Sequence, residues 1–207
     1  MIQIIKDSDT RPWFFLQTAH TTYGIRVMET GHLEHLYYGE RITVDSHDPA
    51  SCAPMVIQRG FAPGNTCTYD REHPQISMED ICLEVGTLGK GDIREPFLEV
   101  RFADGSVTTD FTFDSYEVIT LKEREQCLQD SGLPHSYSEA ETDSAECLQI
   151  VLQDVTNRLE LQLFYTVFEE CDVITRSARL INHSDATVTL ERCFSAQLDL
   201  TEDYSVI

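Results

Sequence analysis

The composition of the chain bounds both its fold and its partners. The chain has 207 residues, of which 41% are hydrophobic and 9% aromatic, enough to bury at least one domain core. Its 36 acidic and 15 basic residues give a formal net charge of −21. A charge of this sign repels phosphate backbones and anionic lipid surfaces, so we expect neither nucleic acid nor a membrane among the partners.

The N-terminal segment and the cysteines favour a cytoplasmic protein. Residues 1–7 have neither the basic part nor the long apolar part of a secretory signal. No run reaches the roughly 18 consecutive apolar residues of a membrane span. The seven cysteines include no Cys-x-x-Cys pair, which favours reduced thiols over a zinc site. We therefore predict a cytoplasmic location, with no metal and no cofactor.

Most apolar positions alternate with a period of two, which is typical of β-strands. In chain order, this alternation predicts strands at 13–18, 22–29, 32–39, 97–102, 107–113, 148–152, 159–168, 173–181 and 188–200. Asp104 and Gly105 stand between the fourth and fifth of these and predict a two-residue hairpin turn. Only 122–129 offers a turn or two of helix. The sequence therefore predicts an all-β fold, a two-sheet antiparallel β-sandwich in one domain.

The segment around residues 40–95 interrupts this pattern and is predicted to be a long irregular loop region. Five of the seven prolines lie in it or at its border. A loop of this length is either functional or disordered. Its apolar and aromatic residues predict that it packs on another surface, in this chain or in a partner; they include Met55, Val56, Ile57, Phe61, Tyr69 and Ile81.

Residue chemistry alone does not identify a catalytic or metal site. His32 and His35 are three apart, so on a strand they point to opposite faces and cannot bind one metal ion together. The carboxylates Glu139, Glu141 and Asp143 favour a charged surface over a catalytic pair. A Gly-x-Ser-x-Gly elbow, a glycine-rich phosphate loop and a zinc-protease motif are all absent from the sequence.

Four segments nevertheless resemble one family in the same order. They read LEHLYYG at 33–39, GDIREPFLEV at 91–100, FYTVFEECDVITRS at 164–177 and LERCFSAQLDL at 190–200. These segments are similar to motifs near the N-terminus of glycoside hydrolase family 36 α-galactosidases, with Ile93 where that family usually has Phe. The resemblance spans residues 14–199, nearly the whole chain.

The resemblance implies that residues 1–207 form a β-supersandwich, the N-terminal domain of an α-galactosidase. In that family this domain precedes a (β/α)₈ barrel that carries both catalytic aspartates, followed by a small C-terminal β domain. We therefore assign no catalytic residue in this chain. The implied partners are its own catalytic barrel, neighbouring subunits of a homo-oligomer, expected to be a tetramer, and a galactoside substrate.

The resemblance also gives the long loop a role. In many family members, loops of this domain reach a neighbouring subunit's barrel and help to wall its active site. On this basis Tyr69, Asp70 and Arg71 are predicted to contact substrate, because an Arg fork and a carboxylate can bind sugar hydroxyls beside an aromatic ring. The alternative is a solvated pair of loop charges. For the whole chain, the alternative is a stand-alone carbohydrate-binding β-sandwich.

Overall fold

Strands dominate the regular structure of this protein. The computed structural model describes residues 1–6, 11–45, 48–56, 67–120, 123 and 145–199. Within these ranges the strands are β1 (Ile2–Lys6), β2 (Pro12–Gln17), β3 (Thr21–Val27), β4 (Leu33–Glu40), β5 (Leu98–Arg101), β6 (Thr112–Thr120), β7 (Glu146–Asp154), β8 (Leu159–Phe168), β9 (Val173–Asn182) and β10 (Thr189–Cys193).

The strands form two four-stranded sheets and one ribbon. The first sheet has the order β1-β2-β3-β4 and the second has the order β6-β7-β8-β9, while β5 and β10 form a two-stranded ribbon. Every pairing between these strands is antiparallel. Each four-stranded sheet is a meander, because its strands follow one another in the chain. The predicted two-sheet antiparallel β-sandwich is therefore confirmed.

The main core lies between the two sheets and the ribbon, and strand periodicity explains it. Alternate side chains of β2 and β3 face alternate side chains of β7 and β8. The first sheet supplies Phe14, Leu16, Tyr23, Ile25 and Val27, the second supplies Leu148, Ile150, Leu152, Leu161, Leu163, Tyr165 and Val167, and the ribbon region supplies Phe97, Leu98 and Val100. Each such side chain contributes about 1.5–3 kcal/mol by leaving water.

The irregular segment between β4 and β5 packs on the first sheet in two places. Its described part contains no named strand, only short 3-10 turns at Pro49–Met55 and Met78–Asp80. One group joins Val44 and Cys52 to Trp13 and Phe15, and a second group joins Ile76, Met78, Ile81 and Leu83 to Met28. The surface on which the loop packs is thus within this chain. The predicted Ile57 and Phe61 contacts lie outside the described residues.

The strand predictions differ from the structure mainly at sheet edges. The sequence pattern missed β1 and placed a strand at 107–113, whereas β6 begins at Thr112. Asp104 and Gly105 do form a turn, in which Phe102 N donates to Ser106 O over 2.9 Å. The chain then leaves the ladder, because Thr109 N donates to Leu88 O. The predicted hairpin was therefore wrong beyond its turn.

Two further features bear on the predictions. The predicted helical turn at 122–129 lies outside the described residues, apart from Glu123. In the described part of the chain, no helix is long and apolar enough to cross a membrane.

Candidate functional site

Tyr69 is turned towards the interior of the domain. Its ring packs against the apolar group of Met28, Ile76, Met78, Ile81 and Leu83. Its hydroxyl donates a hydrogen bond of 3.0 Å to Asp110 Oδ2, and Lys90 Nζ lies 5.2 Å from the ring centroid. Burial and the nearby Asp110 carboxylate both raise the pKa of the Tyr69 hydroxyl. Its ring and its hydroxyl therefore already have partners within the domain.

Asp70 and Arg71 follow on the surface, where Asp70 forms hydrogen bonds within its own loop and Arg71 forms none with a described residue. Asp70 Oδ1 accepts hydrogen bonds from the backbone N of Glu72 at 2.8 Å and of His73 at 2.7 Å, so its carboxylate closes a turn of its own loop. Desolvation acts to raise the pKa of Asp70, but the bonds from His73 and Glu72 outweigh it and hold that pKa below its ordinary value. Arg71 is exposed and forms no hydrogen bond or ion pair with any described residue.

The three predicted contact residues are therefore adjacent without forming one recognition surface. Tyr69 anchors the loop and Asp70 closes its turn, whereas Arg71 is exposed and has no hydrogen-bond or ion-pair partner among the described residues. Their contact with substrate stays a prediction.

Asp110 is the centre of the cluster that holds this loop. Its carboxylate contacts His32 Nε2 at 3.0 Å and Lys90 Nζ at 2.8 Å, in addition to the Tyr69 hydroxyl. Burial acts to raise the pKa of Asp110, but the bonds and charges of His32 and Lys90 prevail and lower it from 3.8 to about 2. His32 is thus committed to a structural contact with Asp110.

The ionisation of Asp110 should affect how the free energy of unfolding depends on pH in acid. Because its pKa is lower in the folded chain, ionised Asp110 stabilises the fold above pH 3.8, and this contribution disappears as the pH falls towards 2. Between pH 3.8 and pH 2, the free energy of unfolding of Asp110→Asn should therefore fall less steeply with decreasing pH than that of the unmodified chain. Urea titration at a series of pH values measures both slopes. Asp185→Asn, at a fully exposed position, controls for the loss of one surface charge and should leave the slope as it is in the unmodified chain. An unchanged slope in Asp110→Asn would contradict the assignment.

A second cluster surrounds Glu84 in the main core. Both tyrosine hydroxyls nearby donate to its carboxylate: Tyr23 to Oε1, and Tyr165 to Oε2 at 2.7 Å. His35 Nδ1 lies 3.5 Å from Oε1 and Arg176 Nη2 lies 3.6 Å from Oε2. Arg176 Nη2 also donates to the backbone O of Glu84 over 2.8 Å. The cluster thus joins both sheets to the irregular segment.

The electrostatics of this cluster favour the ionised carboxylate. Burial of Glu84 is complete and acts to raise its pKa, but the nearby His35 ring, the charge of Arg176 and the hydrogen bonds from the two tyrosines prevail, so its pKa is lowered. The guanidinium carbon of Arg176 lies 4.7 Å from the centroid of the Phe97 ring. Glu84 and Arg176 therefore form a buried ion pair that is completed by hydrogen bonds and aromatic faces.

Arg94, in the GDIREPFLEV segment, ties three parts of the chain together. Its Nε and Nη2 donate to Asp92 Oδ1 at 2.9 Å and Oδ2 at 3.0 Å. Its Nη1 donates to Asp199 Oδ2 at 2.6 Å, and its Nη2 also donates to the carbonyl oxygens of Met78 and Ile81. Ile93 between the paired residues is 80% exposed. The motif therefore fixes the irregular segment and the segment after β10.

The Glu84 and Arg94 clusters were not assigned from the sequence, although Arg176 and Arg94 lie in the segments that carry the resemblance. Glu84 itself gave no signal of burial, because it alternates with Leu83 and Val85, and a strand-like pattern places its side chain on the face opposite to theirs. Within the described ranges, no three His, Cys, Asp or Glu side chains come together as a metal site.

Comparisons with known proteins agree on one family. Residues 31–207 match the family described as Glycosyl hydrolase family 36 N-terminal domain. Among curated proteins, the chain is 37% identical over 191 residues to the bifunctional alpha-galactosidase/sucrose kinase AgaSK of Mediterraneibacter gnavus, covering 91% of this chain and 19% of that protein. It is 31% identical over 205 residues to alpha-galactosidase Mel36A of Lactobacillus acidophilus, covering 99% of this chain and 26% of that protein.

Solved structures give the same result. The crystal structure of the alpha-galactosidase from Lactobacillus brevis superposes with a TM-score of 0.78 at 34% identity, covering 91% of this chain and 24% of that one. The chain thus spans about a fifth to a quarter of the length of these relatives. The family match, the shared fold and the sequence identity together show that this chain belongs to the glycosyl hydrolase family 36 N-terminal domain family.

Proposed function

We propose that this chain is the non-catalytic N-terminal domain of an α-galactosidase that removes terminal α-linked galactose from galacto-oligosaccharides. One observation carries the proposal: the relatives are alpha-galactosidases of which this chain matches only 19–26%. Residues 1–207 are proposed to be one β-supersandwich domain. A cytoplasmic location is part of the proposal, supported by the six described cysteines, which are free thiols.

The 207-residue chain should not cleave an α-galactoside by itself. A retaining glycosidase needs a nucleophilic carboxylate and a second carboxyl group roughly 5 Å away on the other side of the bond, and we assign both to the remainder of the enzyme. Incubation of the purified chain with a chromogenic α-galactoside should match the buffer blank, whereas a longer protein that includes a barrel should release the chromophore. Turnover by the purified chain that survives repeated chromatography would overturn the proposal.

The domain is further proposed to support a homo-oligomer, a tetramer by family resemblance, and to help wall a neighbouring subunit's active site. The surface exposure of Arg71 supports a contact outside the domain, because no described residue uses its guanidinium. The bonds that anchor Tyr69 and close the Asp70 turn support a fixed presentation of this arginine.

Arg71→Ala should impair a longer enzyme that contains this chain without dissociating it. We expect KM for galacto-oligosaccharides to rise or kcat to fall by about tenfold, the effect of losing one charge-assisted hydrogen bond. Steady-state kinetics and light scattering on the same sample measure the two effects separately. Arg158→Ala is the matched control, since the Arg158 side chain is 62% exposed in a turn between β7 and β8. Unchanged kinetics in Arg71→Ala would show that Arg71 does not contact the substrate and that the loop only packs against neighbouring surfaces.

A further inference from the structure

The turn that follows β5 exposes an Asp–Gly pair. Of the ten glycines in the sequence, Gly105 alone follows an Asp or an Asn. Asp104 and Gly105 are both exposed, and the backbone of Gly105 is left-handed, with φ of 84°. A Cβ atom placed on Gly105 would meet no atom of the described chain within 4 Å. Because glycine has no Cβ of its own, its nitrogen can approach the Asp104 side chain with little steric hindrance.

An Asp–Gly pair of this kind rearranges without an enzyme. The backbone N of Gly105 attacks Cγ of Asp104, and the hydroxyl of the protonated carboxyl group leaves with the amide hydrogen as water. The product is a cyclic imide, a succinimide. Water then opens this ring: opening at Cγ restores Asp104, whereas opening at the backbone carbonyl gives isoaspartate, in which the main chain runs through Cβ and Cγ. One water molecule leaves and one returns, so the mass of the chain does not change.

The folded turn restrains the carboxyl group of Asp104. Its Oδ1 accepts hydrogen bonds from Ser106 Oγ at 2.7 Å and from Ser106 N at 2.9 Å. These bonds fix the carboxylate and lower the pKa of Asp104. Because the attacked carboxyl group must be protonated to release water, a lower pKa leaves less of the reactive form at neutral pH. Ser106 therefore slows the attack in two ways, by holding the carboxylate in place and by keeping it ionised.

The folded turn also restrains the attacking nitrogen. Gly105 N donates to Phe102 O over 2.9 Å, and Phe102 N donates to Ser106 O over the same distance. The nitrogen must leave its hydrogen bond before it can turn towards Cγ of Asp104. Rearrangement therefore requires a local opening of the turn, which costs little free energy in an exposed loop.

We propose that Asp104–Gly105 is the site at which this chain forms succinimide and isoaspartate, and that the hydrogen bonds from Ser106 restrain the reaction. Isoaspartate adds one methylene carbon to the main chain of a turn that is closed by backbone hydrogen bonds between Phe102 and Gly105 and between Phe102 and Ser106. Both of these bonds lose their geometry when the main chain lengthens. The proposal depends on neither the activity nor the domain arrangement of a longer enzyme.

The test incubates the purified 207-residue chain for several weeks in mildly acidic buffer without denaturant. Electron-transfer fragmentation of its peptides distinguishes isoaspartate from aspartate, because only isoaspartate has a Cα–Cβ bond in the main chain that can break. We expect isoaspartate to accumulate faster at position 104 than at Asp114 or Asp185. These two are matched comparators within the same chain, since both are exposed and are followed by the small residues Ser115 and Ala186.

Ser106→Ala should accelerate the formation of isoaspartate at position 104 by about fivefold, the effect of losing one hydrogen bond. Ser115→Ala is the matched control, because it removes the hydroxyl that donates to Asp114 Oδ2 at 2.9 Å and leaves the turn after β5 intact. It should not change the rate at position 104. In urea, where the turn is unfolded, the unmodified chain and Ser106→Ala should react at the same rate.

The proposal is overturned if isoaspartate accumulates at Asp114 or Asp185 faster than at Asp104. It is also overturned if Ser106→Ala forms isoaspartate at position 104 no faster than the unmodified chain does. A difference between these two chains that persisted in urea would place the effect in the local sequence, and the role of the Ser106 hydrogen bonds would be refuted.

Discussion

Glu84→Ala should lower the free energy of unfolding by about 3–5 kcal/mol, the range observed when one partner of a buried ion pair is removed. The substitution leaves the guanidinium of Arg176 buried without its counter-charge and takes the acceptor from the hydroxyls of Tyr23 and Tyr165. Urea unfolding followed by fluorescence measures the change. A loss of this size is a large part of the stability of an ordinary domain.

Two further variants make this result specific to the ion pair. Glu191→Ala removes an exposed carboxylate that is paired with Arg101, and the expected loss is about 1 kcal/mol or less. The double variant Glu84→Leu with Arg176→Met removes both charges, so it should be more stable than Glu84→Ala. A Glu84→Ala chain no less stable than Glu191→Ala would show that the buried pair contributes nothing.

Arg94→Ala should lower the free energy of unfolding by about 3 kcal/mol, because it leaves the buried carboxylate of Asp92 unpaired. It also removes the bonds to Asp199 and to two loop carbonyl groups. Arg94→Lys should recover less than half of the loss, since one ammonium group cannot reproduce the fork of the guanidinium. Amide exchange at 194–199 should accelerate in both variants, measured by mass spectrometry.

The matched control for Arg94 is Arg101→Ala, which removes an arginine that is 48% exposed and paired with one carboxylate. We expect a change of about 1 kcal/mol or less and unaltered exchange at 194–199. If Arg94→Lys retained the full stability of the unmodified chain, position 94 would require only a positive charge, and the role of the fork would be refuted.

Local periodicity explains which parts of the fold the sequence predicts. Residues 159–168 were predicted as a strand with the bounds of β8, because its alternation is long and both ends have turn residues. In β6 most side chains are exposed, so its apolar alternation is weak and its position was missed. Asp104 and Gly105 predicted a hairpin, but the chain after the turn does not pair with β5. Instead, Asp110 N donates to the Asp154 carboxylate, a tertiary contact that the local sequence does not indicate.

The candidate sites were harder to predict because their members are far apart in the chain. Tyr69 and its acceptor Asp110 are 41 residues apart, and Arg94 and Asp199 are 105 residues apart. Resemblance selected the segments that contain Arg94 and its partners Asp92 and Asp199, but it did not show that they pair. It also selected the segment of Arg176, whose partner Glu84 lies outside all four segments. Tyr69 was predicted to contact substrate, which requires an exposed hydroxyl. In the structure its hydroxyl points inward and donates to Asp110, a residue that only the tertiary structure brings close.

The long separation between Glu84 and Arg176 has a consequence for synthesis. The two residues are 92 positions apart, so at about 5–20 residues per second the ribosome adds Arg176 roughly 5–20 s after Glu84. During that interval the first sheet is complete in sequence, but the second sheet, which covers its apolar face, is only partly made. The emerging chain must keep the Glu84 carboxylate hydrated until β8 and β9 arrive. Premature closure around Glu84 would bury a charge without its counter-charge, so we expect the two sheets to dock only after Arg176 has been made.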